Sequence, residues 1–263
     1  MTYGVDRRRF LRTVGTGAIG VAIFGVAAAA CSSGGTSAAS TTVAATTSLA
    51  AQTTTTATAV TTTGSAITDL VSSKRVNLDF VSAYVIERGN GLVVIDTGVE
   101  GSAPAIEAAL IEYGRSWSDV GYVIATHKHG DHVGSWRAVA DAASDAELFA
   151  GELDAEQIPT QRAINVLVDG DVVNGVLTIA TPGHTQGHIS MLDPDLGLFT
   201  GDALNGAGGG IIGPNPQFTP DMDTAFDSVR RLAAFEYESA FFGHGEPVLT
   251  GASEAVQDLA ASL

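Results

Sequence analysis

From His127 to His132 the chain reads His-Lys-His-Gly-Asp-His, so half of its six histidines fall in six consecutive positions. Imidazole nitrogens and carboxylate oxygens are the donors that hold zinc and similar divalent ions. On a tight loop His127 and His129 can point one way while Asp131 and His132 point another, so this one run can serve two metals. Three later segments carry the same donor types: TPGHTQGH (181–188) with His184, FTGDAL (199–204) with Asp202, and FFGHGEP (241–247) with His244. Each alone is a weak signal, because a lone histidine is commonly packed or on the surface and Gly-Asp is commonly a turn. Together they point to metal chemistry. His188 is the one histidine left over, read as satisfying a hydrogen bond nearby.

The elements that must position these groups alternate between strand and helix. FVSAYVIE (80–87) and GLVVID (91–96) are β-rich runs on either side of an Asn-Gly, a hairpin signal. Apolar spacing predicts a helix over 103–113. YVIAT (122–126) suits a buried strand and ends directly at His127. A helix is expected over 136–143, then strands at 147–150, 176–181, 188–193 and 198–201. Another helix (222–235), a strand (239–244) and a closing helix (253–263) follow. The glycine-rich stretch 204–220 reads as a loop over a pocket. His127, His184, Asp202 and His244 each follow a predicted strand, and strand ends converge in space even when distant in sequence. Helices flanking mixed sheets fit this order better than a purely parallel sheet.

His127-Lys128-His129-Gly130-Asp131-His132, followed by His184, Asp202 and His244, resembles the metallo-β-lactamase-fold hydrolase superfamily over about residues 76–263. The resemblance implies an α/β fold, a four-layer αββα sandwich of two mixed sheets flanked by helices. It implies that His127, His129 and His184 bind a first metal, that Asp131, His132 and His244 bind a second, and that Asp202 bridges the two. VVIDTG (93–98) matches as well, which would set Asp96 beneath the metal loop as a support. Two divalent ions follow; nitrogen and oxygen donors without thiolate suit zinc and also accommodate iron or manganese. By the same resemblance a metal-bridging hydroxide attacks the carbonyl of a small-molecule substrate, with Asp131 orienting it and passing on its proton.

Within the superfamily, the lactamases with a cysteine ligand do not match, because the one cysteine is Cys31. Asp202 moves the resemblance toward glyoxalase-II-like thioesterases and lactonases, hence toward cleavage of an ester-type, lactone or thioester bond. The glutathione-gripping helical domain of the former and the tyrosine of the latter, sought between His184 and Tyr237, are not found. The alternatives are a β-lactam hydrolase and a mono-iron persulfide dioxygenase of the same fold.

Composition narrows the partners. The net charge is −16, and the opening segment holds Arg7, Arg8, Arg9 and Arg12 against Asp6 alone, so the remainder is more acidic still. A surface of that sign repels phosphate backbones and anionic headgroups, so nucleic acid is not an expected partner. Residues 1–31 run from arginines through an uncharged Gly/Ala-rich stretch to Cys31, the order of a signal peptide. Asp6-Arg7-Arg8-Arg9-Phe10-Leu11-Arg12 resembles a twin-arginine export signal, and the position of Cys31 resembles a lipidation site. Residues 32–66 carry no charge and consist largely of Thr, Ser and Ala, which predicts a disordered tether. Residues 67–263 are the expected hydrolase domain. The whole reads as an exported protein held on the outer face of the cell membrane by its N-terminal lipid, or otherwise secreted or periplasmic.

Overall fold

The computed structural model describes residues 71–89 and 91–263. The export signal, Cys31 and the tether lie outside the described residues. Among those described, no helix is long and apolar enough to cross a membrane.

Two sheets are built from alternating side chains. The first runs in the order β1 (Val71–Leu78), β2 (Val81–Arg88), β3 (Gly91–Ile95), β4 (Val120–Ala125), β5 (Glu147–Gly151) and β6 (Ile164–Leu167). Its first three strands are antiparallel and its last four parallel, so it is mixed. The second contains β7 (Val172–Val173), β8 (Val176–Ala180), β9 (Ile189–Asp193) and β10 (Gly197–Phe199). A separate hairpin, β11 (Asn205–Ala207) with β12 (Gly210–Ile212), follows in the chain, and β13 (Ala240–Phe241) then joins the second sheet parallel to β10.

Period-two alternation sorts side chains between faces. Tyr84, Ile86, Val93, Ile95 and Ile124 meet Met191 and Phe199 of the second sheet in a shared inner core. Ala83, Val85, Leu92 and Val94 face the other way and pack under helices α1 (Ala103–Glu112), α2 (Gly130–Val133), α3 (Trp136–Ala142) and α4 (Glu152–Ala155), with Trp136 fully buried among them. On the far side, α5 (Met222–Leu232) and α6 (Ala252–Ser262) cover the second sheet through Val229, Leu232 and Val256. The layers are therefore αββα.

Local chemistry starts and stops these helices. Pro104 stands in the first turn of α1, where its missing N–H costs nothing. Asp221 caps α5 by accepting the Thr224 amide at 3.0 Å, and Ala225, Ser228, Val229 and Leu232 make its buried stripe.

Some elements were not legible in the pattern. β1 is a polar edge strand whose Lys74 and Arg75 hid it, though it pairs with β2 over its whole length. The stretch 204–220 contains the β11–β12 hairpin rather than loop alone, and the short β6 and β7 were not anticipated. The expected strand over 239–244 shrinks to two residues because the chain must turn at Gly243 to deliver His244.

Candidate metal centre

β4 ends at Ala125, β8 at Ala180, β10 at Phe199 and β13 at Phe241, each two to four residues before His127, His184, Asp202 or His244. The segments leaving those ends meet in one place. Three trios have ligand atoms within 4.8 Å of one another: His127, His129 and His184; His127, His132 and Asp202; and Asp131, His132 and His244. The structure thus brings together all seven expected donors.

The Nδ1 atoms of three of the imidazoles, His132, His184 and His244, are held from behind. Asp96, buried and in the left-handed region at φ 59°, receives the Thr126 amide and hydroxyl, each at 2.8 Å. Its Oδ2 also meets His132 Nδ1 at 2.8 Å, which turns His132 Nε2 toward Asp202 Oδ1, 3.2 Å away. Aspartate tolerates that backbone region better than most residues. His244 Nδ1 donates to the Phe80 carbonyl at 2.7 Å, leaving Nε2 3.3 Å from both Asp131 and Asp202. His184 Nδ1 pairs with the Thr219 hydroxyl at 3.1 Å, leaving Nε2 2.8 Å from His129 Nδ1 and 3.3 Å from Asp202 Oδ2. Gly243 is required by space: a Cβ there would come within 2.4 Å of Asp202 Oδ1 and 2.6 Å of His132.

His188 is fully buried and works behind the centre. Its Nε2 accepts the Asp202 amide at 3.0 Å, so Nδ1 carries the proton and donates to Thr181 Oγ1 at 2.8 Å. The relay continues through Ser190 to the Thr200 carbonyl. It fixes the turn that presents Asp202.

Asp154 gave no signal in the sequence, where it reads as one acid of a short helical turn. It is fully buried and accepts from three groups: the Lys128 amide (3.1 Å), the Thr185 hydroxyl (2.5 Å) and the Gly187 amide (3.1 Å). One carboxylate thereby ties the His127–His129 loop to the His184 loop. Gly187 has to be glycine, since a Cβ would lie 2.3 Å from the Asp154 amide nitrogen. The Lys128 ammonium turns away to Gln157 at 2.6 Å and Asp154 at 3.7 Å.

The electrostatics divide the histidines. Burial lowers His127 well below the usual imidazole range, His184 to about 4 and His188 to about 3. Burial also opposes protonation of His132, but Asp202 and Asp96 on its two sides outweigh it and hold it well above the ordinary value. Asp131, then Asp202, raise His244 to about 10. Asp202 stays ionised despite burial because His132 and His244 surround it. Three carboxylates, Asp96, Asp131 and Asp202, thus surround two imidazoles, His132 and His244, whose protonated forms they favour.

The donor set fits metal ions. His127 Nε2 is buried and has no hydrogen-bond partner, and Asp202 Oδ1, though near His132, lacks hydrogen-bond alignment. Orphaned buried nitrogen and oxygen are costly unless something electrophilic completes them. Above the donors opens a cavity of about 540 Å³, walled by Phe80, Gly130, Asn205, Asn215 and Phe218.

Comparison with known proteins agrees with this geometry. The family model described as the metallo-beta-lactamase superfamily matches residues 76–244. The Bacillus subtilis (strain 168) protein YobT is 29% identical over 197 residues, covering 63% of this chain and 83% of YobT. Thioesterase pkgB of Emericella nidulans is 29% identical over 181 residues, covering 66% of this chain; the chain spans only 48% of pkgB's length. A crystal structure of a metallo-beta-lactamase family protein from Thermus thermophilus shares the fold with a TM-score of 0.58 and 23% identity, over 73% of this chain and 78% of that one. A matched domain, the αββα layers and the strand-end cluster of histidines and carboxylates lead to one conclusion: the chain belongs to the metallo-beta-lactamase superfamily, whose hydrolases, a thioesterase and lactamase-like proteins included, are its relatives.

Proposed function

We propose that this protein is an exported hydrolase that uses two divalent metal ions, zinc by the character of its donors, to cleave an ester-type, lactone or thioester bond in a small molecule. The observation that carries the reading is the buried, partnerless His127 Nε2 within a seven-residue set of nitrogen and oxygen donors opening onto a cavity. His127, His129 and His184 would hold one ion, Asp131, His132 and His244 the other, with Asp202 shared. Ions bound there supply Lewis acidity and lower the pKa of water to near neutrality.

The chain's own groups do the remaining work. Asp131 is half-buried at the cavity floor, where its carboxylate can orient a water and carry its proton toward the departing group. Asp96, Thr219 and the Phe80 carbonyl hold the imidazoles of His132, His184 and His244 in one orientation and tautomer. The thioesterase name of pkgB supports the thioester branch of the reading.

The test is metal analysis of the purified protein with a panel of lactones, thioesters, β-lactams and phosphoesters. Two ions per chain with turnover of lactones or thioesters is the expected result. One iron with oxygen uptake would replace the reading with a dioxygenase, and preferred turnover of β-lactams with a lactamase. Export and lipidation of Cys31 are checked separately by cell fractionation and by mass spectrometry of the mature N-terminus; an unmodified cytoplasmic protein with residue 1 intact would refute them.

A further inference from the structure

The two aromatic walls of the cavity are registered to the metal-site histidines. The Phe80 carbonyl accepts a hydrogen bond from His244 Nδ1, and the Phe80 ring lies parallel to the His244 imidazole at an interplanar angle of 7°, centroids 6.2 Å apart. Phe218 lines the same cavity from the segment that carries Thr219, whose hydroxyl meets His184 Nδ1. That segment is pinned at its start, where Asn205 Nδ2 donates to the Gly213 carbonyl at 3.1 Å. Both residues are 57% exposed, which leaves apolar surface open toward whatever enters.

No lysine or arginine lines this cavity among the described residues. The nearest candidates in sequence are committed elsewhere: Lys128 to Gln157 and Asp154, and Arg75 to Glu246, Ser82 and the Gly245 carbonyl. The remaining wall groups, Asn205 and Asn215, are neutral amides. Two divalent ions at the donors would make the cavity floor locally positive, so discrimination against an anionic arm rests on the apolar rings and the absence, among the described residues, of a lysine or arginine along the walls.

We infer that Phe80 and Phe218 select the substrate, and that it is an uncharged ester or thioester with an apolar arm rather than one whose arm ends in a carboxylate. The inference rests on the hydrolase reading above. The arm lies between the rings while the carbonyl meets the donors below. Each added methylene should raise kcat/KM about fourfold until the space between the rings is filled.

The test compares butanoyl, hexanoyl and octanoyl thioesters of N-acetylcysteamine with the ω-carboxylated glutaryl and adipoyl thioesters, using metal-loaded full-length protein. Expected are rising kcat/KM along the neutral series and values at least tenfold lower for the anionic pair. Phe218→Ala and Phe80→Ala should each flatten the octanoyl-to-butanoyl ratio while metal content stays at two ions. Phe218→Arg should shift preference toward adipoyl. A binding readout independent of turnover uses ligand-observed NMR on the metal-free protein, where N-butyl octanamide should bind more tightly than its ω-carboxylated analogue. Equal or better use of the anionic thioesters, or a chain-length series unchanged in both alanine variants, overturns the inference. No turnover of any compound together with preferential binding of the neutral amide would instead refute hydrolysis while upholding the selectivity.

Discussion

Asp96 and His132 lie 36 residues apart and meet at 2.8 Å, Oδ2 to Nδ1, with both side chains buried. The same carboxylate holds the Thr126 amide and hydroxyl, so a single residue at the end of β3 fixes both the start of the histidine loop and the ring that closes it. Replacing Asp96 by Asn removes a charge and puts an N–H where an acceptor is needed. Metal affinity or kcat/KM should fall by about 10–100-fold with the fold retained. Equilibrium dialysis against zinc alongside circular dichroism checks this; unchanged affinity would remove Asp96 from the centre.

Asp202 faces His132, His184 and His244 at 3.2–3.3 Å. Asp202→Ala leaves those imidazoles without their shared carboxylate. The loss of metal should cost several kcal/mol of transition-state stabilisation, about a thousandfold in kcat/KM. Metal content and turnover measured on one preparation decide it, and wild-type turnover would defeat the metal assignment.

Asp154→Ala should strand two backbone amides and a hydroxyl in a buried place. Orphaned groups of that kind cost about 1–3 kcal/mol each, so urea unfolding of the metal-free protein should show a loss of about 3 kcal/mol or more. Asp154→Asn, which keeps acceptor capacity, should recover part of it. Equal stability of all three proteins would mean water replaces the carboxylate.

His188 dictates a response to acid. Its folded pKa is depressed to about 3 by burial, while an unfolded imidazole titrates near 6.5. Between those values the unfolded chain binds the extra proton, so stability rises with pH and is lost as pH falls from about 6.5 toward 3. The contribution is about 1.4 kcal/mol per pH unit. Unfolding free energy measured against pH should fall less steeply by that amount in His188→Asn. Parallel slopes would contradict the buried neutral imidazole.

Metal loading should release protons. His244 is raised to about 10 by Asp131 and Asp202, and His132 is raised well above its ordinary range, so both are protonated at neutral pH without metal. A ligand nitrogen must give up its proton. Calorimetry of zinc binding at pH 7 in buffers of different ionisation enthalpy should therefore report a net release approaching two protons per chain. Buffer-independent heats would show that neither imidazole is protonated in the metal-free protein.

How much of this was legible beforehand follows from distance along the chain. His127, His129, Asp131 and His132 announce themselves because four donors share one short loop, and loop spacing is a local property. His184, Asp202 and His244 were found because each follows an apolar run that reads as a strand. The αββα layers were implied by the resemblance to the metallo-β-lactamase superfamily, while the interleaved strands and helices alone pointed to mixed sheets flanked by helices. Local order thus determined which elements form and which donors stand at their ends. Only the packed sheets decided that Asp154, from an ordinary helical turn, joins two loops, that His188 supports Asp202 rather than facing the cavity, and that Phe80 and Phe218 flank it. Those relationships span 14 to 164 residues, and contacts of that range depend on how β4, β9, β10 and β13 stack, which no local pattern encodes.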